Sequence, residues 1–133
     1  MKRAVGSFDV KLAPLDIYNR DHGALAGRMS LDKQFRGELE ATGKGEMLTA
    51  GTDVKGSAAY VAIERVTGTL RGRSGSFALQ HTGIMNRSVP TLSIAVVPDS
   101  GTGGLAGISG RMAIIIADGK HSYEFDYTLP DAP

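Results

Sequence analysis

The feature that most constrains the fold is an alternation of apolar and polar side chains with a period of two residues. It is clearest over residues 121–129, where the odd positions are aromatic or apolar and the even positions are polar. The same pattern occurs over residues 8–12 and 92–96. This period places successive side chains on opposite faces of a β-strand, and no helical spacing recurs along the chain. The chain is therefore predicted to be all-β.

Glycine-bearing turns divide this pattern into about eight strands. The predicted strands are residues 4–12, 25–36, 39–50, 57–70, 74–85, 89–97, 110–117 and 121–129. Asp118-Gly119 is a strong hairpin signal, because a type I′ turn needs positive φ at both central positions. No helix is predicted to cover a face of the sheet. Closing the sheet on itself would bury one face and pair the backbone groups of the edge strands. The fold prediction is a single closed antiparallel barrel of about eight strands, in one domain spanning residues 1–133.

A glycine-rich segment, Ser100 to Gly110, joins two of these strands. Such a density of glycine allows tight turns and close backbone approach, which predicts a strand-to-strand corner where the sheet closes. The segment lacks the Lys-Ser/Thr pair of a P-loop and opens no helix, so it is not a nucleotide cradle. The next run, Arg111 to Ala117, is apolar on both faces. This pattern predicts a strand that is covered on both sides, with a partner subunit as the cover outside the barrel.

The hairpin around Arg71-Gly72 determines which side chains share the inner face. A two-residue turn at this position sets Glu64 opposite Leu79 and Ala62 opposite His81. A three-residue turn would mix apolar and polar side chains on each face, so the two-residue turn is preferred. Glu64 and His81 are then diagonal neighbours on an otherwise apolar face, about 7–8 Å apart between Cα atoms.

Glu64 and His81 are the candidate catalytic residues. A carboxylate and an imidazole inside a small barrel make a plausible acid and base pair. The alternative is structural, since two polar groups on an inner face can hydrogen-bond each other, Tyr60, or backbone at a bulge. Tyr123 and Tyr127 share the inward face of the last strand, where they line a pocket mouth or belong to the core.

The remaining charged residues and histidines point to no metal, cofactor or polyanion. Lys33 interrupts the apolar face of its strand and is expected to snorkel from the rim, the alternative being an amine in a pocket. His22, His81 and His121 lack the short fixed spacings of a metal site, so neither a metal nor a cofactor is expected. Fifteen basic and fourteen acidic residues give a net charge of +1. This balance predicts neither nucleic acid nor a membrane as a partner.

The cellular location is predicted from what the chain lacks. It contains no cysteine, which fits a reducing compartment. Its first residues include no apolar run of signal-peptide length, and nothing approaches the roughly 20 apolar residues that span a bilayer. A cytoplasmic location is therefore expected.

Three stretches carry a resemblance to a known family: Glu64 to Gly83, Ser100 to Gly110, and Asp118 to Leu129. They resemble an uncharacterised bacterial family of small proteins, a domain of unknown function with an allene-oxide-cyclase-like, calycin-type β-barrel. The glycine segment is also similar to the Gly-Thr-Gly-x-x-x-Gly corner of allene oxide cyclases and dirigent proteins. The resemblance implies the barrel and a homo-oligomer, but no motif carries cyclase residues over to this chain.

Three functions follow as hypotheses, and whether the chain is an enzyme stays open. The leading one is binding of a small, largely apolar ligand in a cavity of a few hundred Å³. The second is an isomerase or cyclase that uses Glu64 and His81 as acid and base. The third is a structural, oligomerising protein with a filled barrel and an apolar interface around Ile114 to Ile116. The candidate ligand-binding residues are Tyr60, Glu64, His81, Tyr123 and Tyr127.

Overall fold

The computed structural model describes residues 1–19 and 25–130 and forms one closed barrel of eight antiparallel strands. Each strand pairs with the next along the chain, and the last pairs with the first, so the sheet has no free edge. The predicted all-β closed barrel is confirmed, and the observed strand ends lie within two residues of the predicted ones. The strands are β1 (Lys2–Pro14), β2 (Ala26–Gly37), β3 (Leu39–Gly51), β4 (Ala58–Leu70), β5 (Arg73–Asn86), β6 (Val89–Val96), β7 (Ser109–Ala117) and β8 (Lys120–Thr128).

Two tight turns set the register of the hairpins that carry the site. The Arg71-Gly72 turn has φ angles of 45° and 83°, and the Asp118-Gly119 turn has φ angles of 53° and 75°. These are the left-handed values that a type I′ turn requires at both central residues. Ala62 consequently faces His81 across β4 and β5. The predicted register of this hairpin is confirmed.

The glycine-rich connection between β6 and β7 covers one end of the barrel, which we call the closed end. A single 3-10 turn at Gly103–Leu105 folds the connection inward. Leu105 and Ile108 are buried there, among side chains that point inward from the strands. Phe77 and Phe125 stack in the same core, with ring centroids 5.6 Å apart. The other buried residues at this end include Leu39, Leu70 and Tyr127.

The same connection also bridges the weakest part of the sheet. β6 and β7 share only one pair of Cα partners, Ala95 and Arg111. Beside this gap, the backbone N–H of Thr102 donates to the carbonyl of Ser76 on β5 at 2.8 Å. The predicted corner therefore has two roles, since it continues the backbone hydrogen bonding of β5 and fills the closed end.

The opposite end, which we call the open end, lacks such a cover among the described residues. Four apolar residues there share the inward-facing pattern of their strands, yet they are between 41% and 66% exposed: Leu12, Met85, Leu92 and Ile116. In the run that was predicted to be covered on both sides, Met112 is buried, whereas Ile115 and Ile116 are exposed within a single chain. In the part of the chain that the structure describes, no helix is long and apolar enough to cross a membrane.

Candidate functional site

Three polar side chains are buried inside the barrel, and we call them the polar layer. They are Lys33 on β2, Glu64 on β4 and His81 on β5, with exposed fractions of 4%, 0% and 3%. Each occupies an inward position in the period-two pattern of its strand, and the inward positions on either side of it are apolar. The layer lies between the closed end and the open end.

The three side chains meet at one oxygen atom. Oε1 of Glu64 accepts a hydrogen bond from Nζ of Lys33 at 3.0 Å and one from Nε2 of His81 at 2.6 Å. An ionised carboxylate only accepts hydrogen bonds, so Nε2 carries a proton in this arrangement. Glu64 and His81, which were expected to be diagonal neighbours, are thus in direct contact.

The expectation that Lys33 snorkels from the rim is wrong. Its ammonium lies 5.0 Å from the ring centroid of Phe8 and 5.6 Å from that of Phe35. The interior supplies a counter-charge in Glu64 and two aromatic faces that attract a cation, and together they offset the loss of hydration. The pattern along β2 showed that Lys33 points inward but not that a carboxylate from β4 would meet it.

The environment of Glu64 favours its charged form. Burial opposes ionisation, but the hydrogen bond from His81 and the positive charge of Lys33 outweigh it, so the pKa of Glu64 lies below its ordinary value of 4.5. Its second oxygen, Oε2, has no hydrogen-bond partner among the described residues. That oxygen lies against Gly43 on β3, where a Cβ atom would overlap it. Gly43 therefore provides the space that the carboxylate occupies, a role that sequence reasoning missed.

Tyr60 connects the polar layer to the open end. Its hydroxyl lies 3.5 Å from Nδ1 of His81. Its ring lies across Gly83 on β5, at a position where any Cβ would overlap the ring carbons. Burial, with a smaller effect from the charge of Glu64, raises the pKa of Tyr60. Its hydroxyl is thus held in the neutral form, which can donate a hydrogen bond.

A cavity of about 520 Å³ occupies the open end. Among the described residues that line it, none is charged, and the hydroxyl of Tyr60 lies within 3.5 Å of His81 in the polar layer. Glu64 and His81 do not belong to the lining. The side chains or backbone that form its walls include Met47, Thr49, Tyr60, Gly83, Met85 and Leu92.

Tyr123 and Tyr127, the other two candidate ligand-binding residues, do not line this cavity. The hydroxyl of Tyr123 accepts a hydrogen bond from the backbone N–H of Leu39 and donates to the carbonyl of Arg36, both at 2.9 Å. Tyr127 stacks on Phe125 in the core. Their inward direction was predictable, but their depth along the barrel axis depends on how the strands are staggered.

The histidines outside the polar layer form no metal site in the described residues. His121 packs against Phe8, with ring centroids 5.2 Å apart. His22 lies outside the residues that the structure describes. Within residues 1–19 and 25–130, no group of three or more histidine and acidic side chains is placed to hold a metal ion.

The fold and the site define a small closed β-barrel with a buried charged layer beneath an apolar cavity. The family model described as "Protein of unknown function (DUF3224)" matches residues 4–127, so the chain belongs to that family. The resemblance to an uncharacterised family is thereby confirmed. A protein with unknown function from the DUF3224 family of Shewanella oneidensis MR-1, known from a 1.84 Å crystal structure, is 54% identical. It aligns over 99% of both chains with a TM-score of 0.94. No curated protein matches this chain.

Proposed function

We propose that the barrel binds a small, largely apolar molecule at its open end. The observation that supports this is the cavity of about 520 Å³, whose described lining is uncharged and mostly apolar. Ligand sites in proteins usually have volumes of roughly 300–1,000 Å³, apolar walls and a few polar groups. The cavity has these properties, whereas the closed end is filled by side chains.

Exposed apolar side chains at the cavity provide the driving force. Met85 and Leu92 line it and are more than 40% exposed. Covering them with an apolar molecule gains about 25 cal/mol for each Å² that is removed from water. Met47 and Met85 also adapt their shape readily, because the thioether side chain is unbranched and flexible. Such a wall suits molecules of somewhat different shapes.

Binding can be tested with a neutral solvatochromic dye such as Nile red. We expect saturable binding to the purified protein, seen as a blue-shifted, brighter emission. Ala58 lines the cavity and has an inward position on β4. Ala58→Phe should therefore fill part of the space and weaken dye binding about tenfold or more. The matched control is Ala113→Phe on the exposed face of β7, which should bind as the unmodified protein does.

The proposal fails if the dye shows no saturable binding, or if Ala58→Phe binds it as tightly as the unmodified protein. A complementary measurement uses protein purified from its own host. Denaturation, extraction and mass spectrometry should then release a neutral apolar compound in about stoichiometric amount.

A second candidate is association between copies of this chain, supported by the outer face of the barrel. Leu48, Val61 and Ile63 are each about half exposed and border a groove of about 740 Å³. Contiguous apolar patches of this kind are uncommon on monomers. Arg28 and Glu46 form an ion pair at the edge of the groove, so the apolar side chains can pack against the same patch of a second copy about a two-fold axis.

Light scattering coupled to gel filtration tests this association. We expect a mass above that of one chain, and a fall to the monomer mass for Ile63→Glu. Thr67→Glu, on the exposed face of the same strand, is the control and should leave the mass unchanged. A monomeric unmodified protein would contradict the candidate.

The enzyme hypothesis has less support, because Glu64 and His81 are bonded to each other and neither lines the cavity. A cytoplasmic location stays a prediction that rests on the cysteine-free sequence.

A further inference from the structure

We propose that the ligand carries one uncharged hydrogen-bonding group, a hydroxyl or a carbonyl, which the hydroxyl of Tyr60 binds, and that carboxylates are excluded. This inference rests on the proposed function, since it specifies the chemistry of a molecule bound in the same cavity.

Few polar side chains line the cavity among the described residues. Three residues with hydroxyl groups line it, Thr49, Tyr60 and Thr91. Thr49 lies directly opposite Tyr60 across β3 and β4, and both are inward positions, whereas Thr91 has an outward position on β6. The Thr49 hydroxyl lies against Gly27 on β2, whereas the Tyr60 ring lies over Gly83 on β5, so the two hydroxyls lie toward different strands and that of Tyr60 is beside the polar layer. This arrangement suits a ligand with one polar group on an apolar body.

The hydroxyl of Tyr60 retains hydrogen-bonding capacity for a ligand. Its distance of 3.5 Å to Nδ1 of His81 is long for a hydrogen bond from a hydroxyl. A tyrosine hydroxyl provides one donor and acceptor lone pairs, so a single weak contact does not exhaust it. The Tyr60 hydroxyl can accept from a ligand hydroxyl, or turn its proton away from His81 and donate it to a ligand carbonyl.

The polar layer positions Tyr60 without supplying a free charge. The short bond between His81 and Glu64 orients the imidazole, and the imidazole faces the Tyr60 hydroxyl. Gly83 lets the tyrosine ring lie flat against β5, which restricts the ring on its other side. The position of the hydroxyl oxygen is thus determined before a ligand enters. A preformed polar contact lowers the entropic cost of binding.

A carboxylate finds no counter-charge among the described residues that line the cavity. Lys33, the cation of the polar layer, is buried and bonded to Glu64. No cationic residue belongs to the cavity lining in the described part of the chain. An ionised ligand would lose its hydration without compensation, and this cost is larger than for a neutral polar group.

A matched series of naphthalene compounds tests the inference, read by displacement of Nile red at neutral pH. Naphthalene has no polar group, 2-naphthol adds a hydroxyl, 2-acetylnaphthalene adds a carbonyl, and 2-naphthoate adds a charge. We expect the two neutral polar compounds to bind about three- to tenfold tighter than naphthalene. We expect 2-naphthoate to bind at least about tenfold more weakly than 2-naphthol.

Two conservative variants separate the role of Tyr60 from a general change in the protein. Tyr60→Phe should abolish the preference for 2-naphthol and 2-acetylnaphthalene and leave naphthalene binding within about twofold. Tyr123→Phe, which removes a hydroxyl at the closed end, should preserve the whole series.

The outcomes distinguish this inference from the function on which it rests. If no member of the series displaces the dye and the dye itself does not bind, the proposed function fails. If naphthalene binds as tightly as 2-naphthol, if 2-naphthoate binds tightest, or if Tyr60→Phe keeps the preference, the inference is overturned while apolar binding stands.

Discussion

The two ends of the barrel contain similar apolar side chains and differ in what covers them. At the closed end, Leu105 and Ile108 from the β6–β7 connection complete a buried core that includes Phe77 and Phe125. At the open end, Leu92 and Ile116 point inward from their strands and remain 44% and 66% exposed. Period-two alternation directs both groups inward in the same way. A barrel wall alone therefore does not bury its inner face, because burial also requires a segment that covers the end.

The two ends therefore differ in their contributions: the closed end stabilises the fold, and the open end is the proposed site of binding. A filled end gains dispersion contacts and loses apolar surface to water, which stabilises the fold. The open end, which has no such cover among the described residues, leaves the same kind of surface exposed for a ligand. The polar layer of Lys33, Glu64 and His81 lies between them, and Tyr60 is its contact with the cavity.

The largest expected effect comes from breaking the polar layer between the two ends. Lys33→Ala removes a buried cation and leaves the carboxylate of Glu64 with one partner fewer, which should lower the free energy of unfolding by about 3–5 kcal/mol. Lys11→Ala, at an exposed position on β1, should change it by less than about 0.5 kcal/mol. Urea denaturation followed by circular dichroism measures both. If Lys33→Ala lowered the free energy of unfolding by less than about 1 kcal/mol, the polar layer would not contribute to stability as expected.

A matched pair of leucines tests the comparison of the ends directly. Leu105→Ala at the closed end creates a cavity in a packed core and should cost about 2–5 kcal/mol of unfolding free energy. Leu92→Ala at the open end removes a side chain that is already 44% exposed, and should cost less than about 1 kcal/mol. The same denaturation experiment applies. Equal losses would mean that the open end is as well packed as the closed one.

A matched pair of tyrosines gives a smaller difference. Tyr123→Phe leaves the buried N–H of Leu39 without its hydrogen bond, and should cost about 1–3 kcal/mol. Tyr60→Phe removes only the long contact to His81, and should change the unfolding free energy by less than about 0.5 kcal/mol. Thermal denaturation of the two variants side by side measures the difference. A larger loss for Tyr60→Phe would show that its hydroxyl is structural.

The smallest expected effect is a pH dependence from Glu64. Its pKa in the folded protein is below the ordinary value of 4.5, so the stability it contributes is fully present above that value and is lost as the pH falls toward the folded pKa. From about pH 5 to about pH 3.5, the unmodified protein should lose more unfolding free energy than Glu64→Gln. Asp32→Asn, at an exposed position on β2, is the control and should follow the unmodified protein. Parallel curves for all three proteins would contradict the lowered pKa.

Much of the fold was predictable because its determinants are local. The alternation along each strand depends only on neighbouring residues, and the Arg71-Gly72 turn determines the pairing of Ala62 with His81. Together they predicted that Glu64 and His81 share the inner face. The burial of Lys33 was not predictable in this way. It requires the side chains of Lys33 on β2 and Glu64 on β4 to meet over Gly43 on the intervening strand β3.

The position of each inward side chain along the barrel axis could not be predicted from the sequence pattern either. Tyr60 and Tyr123 have the same inward direction, yet Tyr60 lines the cavity and Tyr123 bonds to the backbone of Arg36 and Leu39. Strand stagger decides which of them reaches which end, and stagger results from closure of the whole sheet.

The amino-acid sequence by itself determined the strands, their turns and the face of each side chain, since these follow from a period of two and from glycine at positive φ. Only the tertiary structure decided that the glycine-rich segment would place Leu105 in one end, that Lys33 would meet Glu64, and that Tyr60 would line the cavity at the other end. The reason is that these contacts join residues on different strands, and their distances exist only once the barrel has closed.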